Sequence, residues 1–176
     1  MDFAAVLADI AAELERLRVR HAVIGGIALA ALGMPRTTID LDLATDAAAQ
    51  DAVIELLERR GYQTLHRSSG YSNHLHADAR LGRVDVVYVR AETAEQLFDG
   101  TRLLPGPGGQ PIPVPRPEHL AAMKVLAMKN DPSRTFQELA DIRFLLTRPG
   151  VDRDLVRDQF ARHGLMERFR DVERTL

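Results

Sequence analysis

Apolar and polar residues alternate with two different periods along this chain, and each period predicts one kind of secondary-structure element. Apolar residues recur every three or four positions in several segments, which is typical of amphipathic helices. This spacing predicts helices over 3–19, 46–60, 117–130, 134–148, 152–163 and 165–174. A short apolar run over 21–24 predicts a strand that ends in a tight turn at Gly25-Gly26, with a short helix over 27–32 after it.

Other segments alternate with a period of two, which is the pattern of a strand with one buried face. Residues 39–43 read Ile-Asp-Leu-Asp-Leu, and most of 62–90 is strand-like. Segments 71–77 and 83–89 are predicted to pair as a hairpin. Residues 103–117 are rich in proline and glycine, so they are interpreted as a loop that encloses one short strand near 112–114.

Together these elements predict an α+β protein. A small mixed sheet flanked by helices is expected over 1–115, and a C-terminal helical bundle is expected over 116–176.

Composition narrows the class of protein. The chain has 176 residues, of which 45% are hydrophobic, with no cysteine and a net charge of −2. Disulfides, thiolate metal sites and a cysteine nucleophile are therefore excluded, and so is a globally basic nucleic-acid binder. The acidic start and the absence of a long apolar run predict a cytoplasmic protein with no membrane segment.

Three carboxylates are the first candidates for chemistry. Asp40 and Asp42 point to the same face of one predicted strand, with Cα atoms about 6–7 Å apart. Asp85 is a lone acid in another apolar strand. If the two strands are neighbours, the three carboxylates form a site for a hard divalent cation, Mg²⁺ or Mn²⁺.

A second candidate is the glycine pair between a strand and a helix. Gly25 and Gly26 allow the backbone to approach phosphates closely. Arg36, shortly before the acidic strand, offers a forked guanidinium for the same phosphates. The chain contains neither the Gly-Lys-Ser/Thr of a P-loop nor the GxGxxG of a dinucleotide turn.

Each feature also has a simpler interpretation when it is taken alone. An Asp-x-Asp pair is commonly a solvated strand face, and two glycines after a strand are commonly a turn. His74 and His76 alternate on a predicted strand, which fits a transition-metal site less well than a polar strand face.

The order and spacing of these residues resemble a known group of enzymes. Gly25-Gly26, a spacer, and then Asp40-Leu41-Asp42 resemble the signature of the DNA polymerase β nucleotidyltransferase superfamily. The fuller stretch over 23–45, together with 116–146, is similar to the AbiEii-like and MenT-like nucleotidyltransferases, many of which are toxins of toxin–antitoxin or phage-defence pairs.

The resemblance implies a two-metal transfer of a nucleoside monophosphate from an NTP, with release of pyrophosphate. Asp40 and Asp42 would hold both ions, and Asp85 would complete the ion that activates the attacking hydroxyl. Gly25 and Gly26, with Arg36, would hold the β- and γ-phosphates.

The resemblance also implies a role for the helical half. Lys124 would reach the triphosphate, and Asp141 and Glu138 would support it. Lys129 is a secondary candidate because it lies about 140° around the helix from Lys124. The plain alternative is a set of ion pairs on a helix surface.

Three functions follow as hypotheses. The first is an active nucleotidyltransferase, of toxin type, acting on transfer RNA or on a protein, with a cognate antitoxin as a possible partner. The second is a small protein adenylyltransferase that acts as an antitoxin. The third is a catalytically inactive nucleotidyltransferase fold that serves as a binding module.

Overall fold

The computed structural model describes residues 1–34 and 36–176. These residues form two compact units, Met1–Pro115 and Arg116–Leu176. The first unit combines strands and helices, and the second unit is helical.

A five-stranded sheet is the centre of the first unit. Its strands are β1 (His21–Val23), β2 (Asp40–Asp46), β3 (Tyr62–Arg67), β4 (Tyr71–His76) and β5 (Arg83–Val89). They lie in the order β1-β2-β5-β4-β3. The pair β2 and β5 is parallel, and the other neighbouring pairs are antiparallel. The sheet is therefore mixed, and its only parallel pair within the described residues joins the two strands that carry aspartates.

The first unit also contains helices α1 (Phe3–Arg16), α2 (Gly25–Ala31), α3 (Gln50–Arg59) and α4 (Ala91–Asp99). The apolar sides of α1 and α3 are buried, as their helical spacing predicts. Strands β6 (Arg102–Pro105) and β7 (Pro111–Val114) form a separate antiparallel hairpin.

Four helices make up the second unit: α5 (Pro117–Asn130), α6 (Thr135–Leu146), α7 (Arg153–Arg162) and α8 (Met166–Glu173). Helix α5 packs against α6 and α7, and α8 packs against α6 and α7. The rings of Phe160 and Phe169 meet in the core at a centroid distance of 5.3 Å.

The predicted α+β class, with a mixed sheet and a helical C-terminal part, is confirmed. Three details of the sequence interpretation were wrong. Helix α2 begins at Gly25, so the glycine pair lies in its first turn and not before it. The proline-rich segment forms the hairpin β6–β7 where one short strand was expected, and helix α4 was not predicted.

Within the described residues, no helix combines the length and the apolar character that crossing a bilayer requires.

Candidate active site

The three candidate carboxylates lie side by side on one face of the sheet. Because β2 and β5 are parallel and in register, Asp42 is directly opposite Asp85. Asp40 is on the same face as Asp42, and the intervening Leu41 is fully buried on the other face. One carboxylate oxygen from each aspartate lies within 4.8 Å of the other two. The sequence predicted this cluster only if the two strands were neighbours, and in the structure they are.

This donor set fits a divalent cation of the hard kind. All three ligand groups are carboxylates, they are half-buried, and their oxygens are close enough to share an ion. Carboxylates so close together repel one another unless positive charge lies between them. Mg²⁺ and Mn²⁺ prefer such oxygen ligands, and either ion would supply that charge while leaving positions for phosphate oxygens.

Two further side chains contact the carboxylates, and sequence reasoning missed both. Thr38 Oγ1 donates a hydrogen bond to Asp40 Oδ1 at 2.7 Å. Arg83 Nε donates to both carboxylate oxygens of Asp85, at 2.8 Å and 3.0 Å. Hydrogen bonding to Asp85, together with the charges of Asp85, Asp40 and Asp42, raises the pKa of Arg83 against the opposing effect of burial.

A sequence signal for both residues does exist. Thr38 and Arg83 each precede an aspartate of the cluster by two positions, and side chains two apart in an extended chain point to the same side.

The glycine pair lies directly against the acidic strand. Gly25 has φ of +61°, and a Cβ atom placed on it would be 1.9 Å from Asp42 Oδ2. A Cβ atom on Gly26 would be 2.8 Å from Thr38 Cβ. No side chain fits at either position without displacing these neighbours. The close approach of bare backbone to the carboxylates is therefore built into the sequence.

A pocket of about 450 Å³ opens beside the glycine pair, within the first unit. Gly26, Arg36 and Thr38 line it together, so the predicted phosphate ligands Gly26 and Arg36 share one cavity. The remaining lining residues are mostly apolar: Phe3, Ile27, Ala30, Ala31, Thr37, Pro105, Gly106 and Pro107. Through Thr38, which also bonds Asp40, the pocket borders the carboxylate cluster.

The lysine of the helical half is held by acidic side chains of its own unit. Lys124 Nζ lies 2.8 Å from Glu138 Oε2 and 2.7 Å from Asp141 Oδ2. Arg134 Nη2 lies 2.6 Å from Glu138 Oε1. The side chains of Glu138 and Asp141 are 0% and 2% exposed, and that of Lys124 is 12% exposed. Lys124, Glu138 and Asp141 form a largely buried ionic cluster with the half-exposed Arg134 at its edge, whereas Lys129 is exposed in the last turn of α5.

The two histidines of β4 contact neighbouring side chains of the protein. His74 is fully buried, not part of a polar strand face, and its ring nitrogens lie 2.7 Å from Ser72 Oγ and 3.2 Å from Thr64 Oγ1. Burial lowers the pKa of His74. His76 packs its ring edge-on against Tyr62. Among the described residues, the aspartate cluster is the one group of three or more side chains with the geometry to hold a metal ion.

Solved structures share this fold. The antibiotic-resistance factor ANT(2'')-Ia in solution matches with a TM-score of 0.68 at 18% identity, covering 99% of this chain and 98% of that chain. ANT(2'')-Ia in complex with adenylyl-2''-tobramycin matches with a TM-score of 0.66 at 15% identity, covering 90% and 95% of the two chains. The lincosamide adenylyltransferase LnuA, bound to lincomycin, matches with a TM-score of 0.55 at 20% identity, covering 81% and 96%.

None of the curated proteins matches the chain. A family model described as uncharacterised nucleotidyltransferase matches residues 1–172. The match covers nearly the whole chain and includes the glycine pair and all three aspartates. The protein therefore belongs to this nucleotidyltransferase family.

Proposed function

We propose that this protein transfers a nucleoside monophosphate from an NTP to a hydroxyl group of an acceptor and releases pyrophosphate. The observation that supports this most directly is the cluster of Asp40, Asp42 and Asp85 next to the Gly25-Gly26 pair at the start of α2. Family membership supports the reaction type. The arrangement is suited to hold a metal-bound triphosphate beside Asp85, which would accept the proton of the attacking hydroxyl.

In this proposal the carboxylates hold Mg²⁺ or Mn²⁺. Asp40 and Asp42 would bind the cations that neutralise the triphosphate, and Asp85 would join them on the side of the attacking hydroxyl. The metal supplies Lewis-acid chemistry at the α-phosphate. The protein contributes fixed orientation, because Thr38 and Arg83 hold two of the carboxylates in place.

The phosphates of the donor are assigned to the glycine pair and the adjoining pocket. Gly25 lies against the carboxylate of Asp42, and Gly26 lies against the side chain of Thr38. Arg36 lines the pocket together with Gly26, and its guanidinium suits the charge of the β- and γ-phosphates.

Lys124, Lys129, Asp141 and Glu138 are proposed as accessory nucleotide-binding residues of the helical unit. Asp141 and Glu138 fix the ammonium group of Lys124, which supports a positioning role for the two acids. Lys129 is more exposed and remains the weaker candidate.

Two observations favour two different classes of acceptor. The resemblance of 23–45 and 116–146 to AbiEii-like and MenT-like enzymes supports a toxin-type enzyme that modifies transfer RNA or a protein. The likeness to ANT(2'')-Ia over nearly the full length of both chains supports a small hydroxylated acceptor, since one ANT(2'')-Ia structure contains adenylyl-2''-tobramycin. The two grounds predict different labelled products.

A label-transfer assay tests the proposal. The purified protein is incubated with each α-³²P-labelled NTP and Mg²⁺ or Mn²⁺, in turn with bulk transfer RNA, cell lysate proteins, aminoglycosides and lincosamides. The inactive variant is Asp40→Asn/Asp42→Asn. The matched control is Asp154→Asn/Asp158→Asn, which removes the same charge from two exposed positions of α7.

Label that appears in one acceptor pool, persists in the matched control and disappears in the inactive variant supports the proposal and identifies the acceptor class. Label on protein that is transferred from ATP alone identifies the protein adenylyltransferase alternative. Absence of label from every pool with the wild-type protein overturns the proposal in favour of a binding module.

A further inference from the structure

Arg83 places a positive charge inside the acidic cluster. It lies on β5 in register with Asp40, and its Nε group donates to both oxygens of Asp85. The guanidinium therefore lies on the face of the sheet where a divalent cation would bind. The guanidinium of Arg83 and a divalent cation from solution would therefore both bind the carboxylate of Asp85.

We propose that Arg83 is a positioning residue that competes with the divalent cation for Asp85. Before a cation binds, Arg83 keeps Asp85 fixed and partly neutralised. When a cation arrives at Asp85, at least one of the two hydrogen bonds from Arg83 is given up. The affinity of the site for metal is then set by this exchange as well as by the three aspartates.

The surroundings of Arg83 distinguish it from a simple surface ion pair. The side chain of Asp85 is 17% exposed, and that of Arg83 is 42% exposed, so the carboxylate is sheltered while the arginine can move outward. The charges of Asp40 and Asp42 also act on Arg83 and raise its pKa. The guanidinium is held by Asp85, yet its exposure gives it a route into solvent.

Arg80 provides a matched comparison three residues earlier. It forms an ion pair with Asp78, and its side chain is 84% exposed. Arg80→Gln removes the same charge as Arg83→Gln from a neighbouring part of the chain. A general electrostatic effect on cation binding would appear in both variants, and an effect specific to Asp85 would appear only in Arg83→Gln.

The inference rests on the proposed function, since it assumes that the cluster binds a divalent cation. The experiment measures Mn²⁺ binding to the full chain by the electron paramagnetic resonance signal of free Mn²⁺, without nucleotide or acceptor. The variants are Arg83→Gln, Arg80→Gln, Asp85→Asn and the double variant Arg83→Gln/Asp85→Asn. Thermal unfolding of each variant verifies that it is folded.

An exposed ion pair changes an equilibrium constant by a factor of up to about five. Arg83→Gln is therefore expected to tighten Mn²⁺ binding about threefold to fivefold, while Arg80→Gln leaves it within about twofold of wild type. In the Asp85→Asn background, the additional Arg83→Gln change is expected to have no effect, because the competition has been removed.

Two results overturn the inference alone: Mn²⁺ binding that wild type shows and that is the same in Arg83→Gln and Arg80→Gln, or an equal gain from Arg83→Gln with and without Asp85. Absence of Mn²⁺ binding from wild type and from Arg83→Gln contradicts the proposed function itself. Binding that appears only in Arg83→Gln supports the inference in its strongest form.

Discussion

Replacing Gly25 with alanine tests how closely the backbone approaches the acidic strand. The added Cβ would lie 1.9 Å from Asp42 Oδ2, 2.6 Å from its Cγ and 2.8 Å from its Cβ. Rotation of the Asp42 side chain about its Cα–Cβ bond relieves the first two contacts but not the third, because the Asp42 Cβ is fixed to strand β2. Asp42 must therefore leave its place in the cluster, or the backbone at Gly25 must shift.

The alanine also has a backbone cost, because Gly25 has φ of +61°. A non-glycine residue in this left-handed region costs about 1–2 kcal/mol. Gly164→Ala is the matched control, since Gly164 has φ of +71° with no atom within 4 Å of an added Cβ. Gly164→Ala is expected to lose about 1–2 kcal/mol of unfolding free energy. Gly25→Ala is expected to lose more because of the clash with Asp42, and only this variant is expected to disturb the cluster.

The assay combines thermal unfolding with Mn²⁺ binding and label transfer. Gly164→Ala is expected to lower Tm by a few degrees, about 2–4 °C for each kcal/mol at this chain length, and to keep wild-type metal binding and activity. Gly25→Ala is expected to lose label transfer by about 100-fold or more, the scale on which small misplacements act. If Gly25→Ala binds Mn²⁺ and transfers label as Gly164→Ala does, the close approach of Gly25 to Asp42 has no functional role and the reasoning fails.

Two further predictions concern stability. Lys124→Met leaves the buried carboxylates of Glu138 and Asp141 without their shared ammonium, so urea unfolding is expected to show a loss of about 3–5 kcal/mol. The exposed control Arg157→Met is expected to lose less than about 1 kcal/mol. Burial lowers the pKa of His74 below 6.5, so the unfolded chain takes up a proton as pH falls through 6.5 while the folded chain does not. His74 is therefore expected to leave the unfolding free energy unchanged above that pH and to lower it below that pH. His74→Gln is expected to reduce the dependence of the unfolding free energy on pH between about pH 8 and pH 5.

The sequence predicted the acidic strand and the helices because their patterns are local. Asp40 and Asp42 alternate with apolar residues, and this alternation alone indicates that both carboxylates share a face. Their adjacency to Asp85 is a different matter. It depends on the parallel pairing of β2 with β5, which are separated in sequence by α3, β3 and β4.

Other features were missed because tertiary surroundings decide them. Helix α4 is one short amphipathic segment, and prolines within both strands of the β6–β7 hairpin conceal their pattern. The burial of Lys124 cannot be inferred from the local sequence either, since an isolated lysine in a helix is ordinarily exposed. Only the packing of α5 against α6 brings Glu138 and Asp141 to it.

The central claim is that Asp40, Asp42 and Asp85 hold the metal that carries the triphosphate. The most direct test is a crystal structure with Mn²⁺ and an NTP whose α–β bridge resists cleavage, recorded at a wavelength where manganese scatters anomalously. The proposed function predicts an anomalous peak at coordination distance from Asp40, Asp42 and Asp85, with the phosphates between the Gly25-Gly26 pair and Arg36. A nucleotide bound elsewhere, or a Mn²⁺ peak away from the three carboxylates, would contradict it.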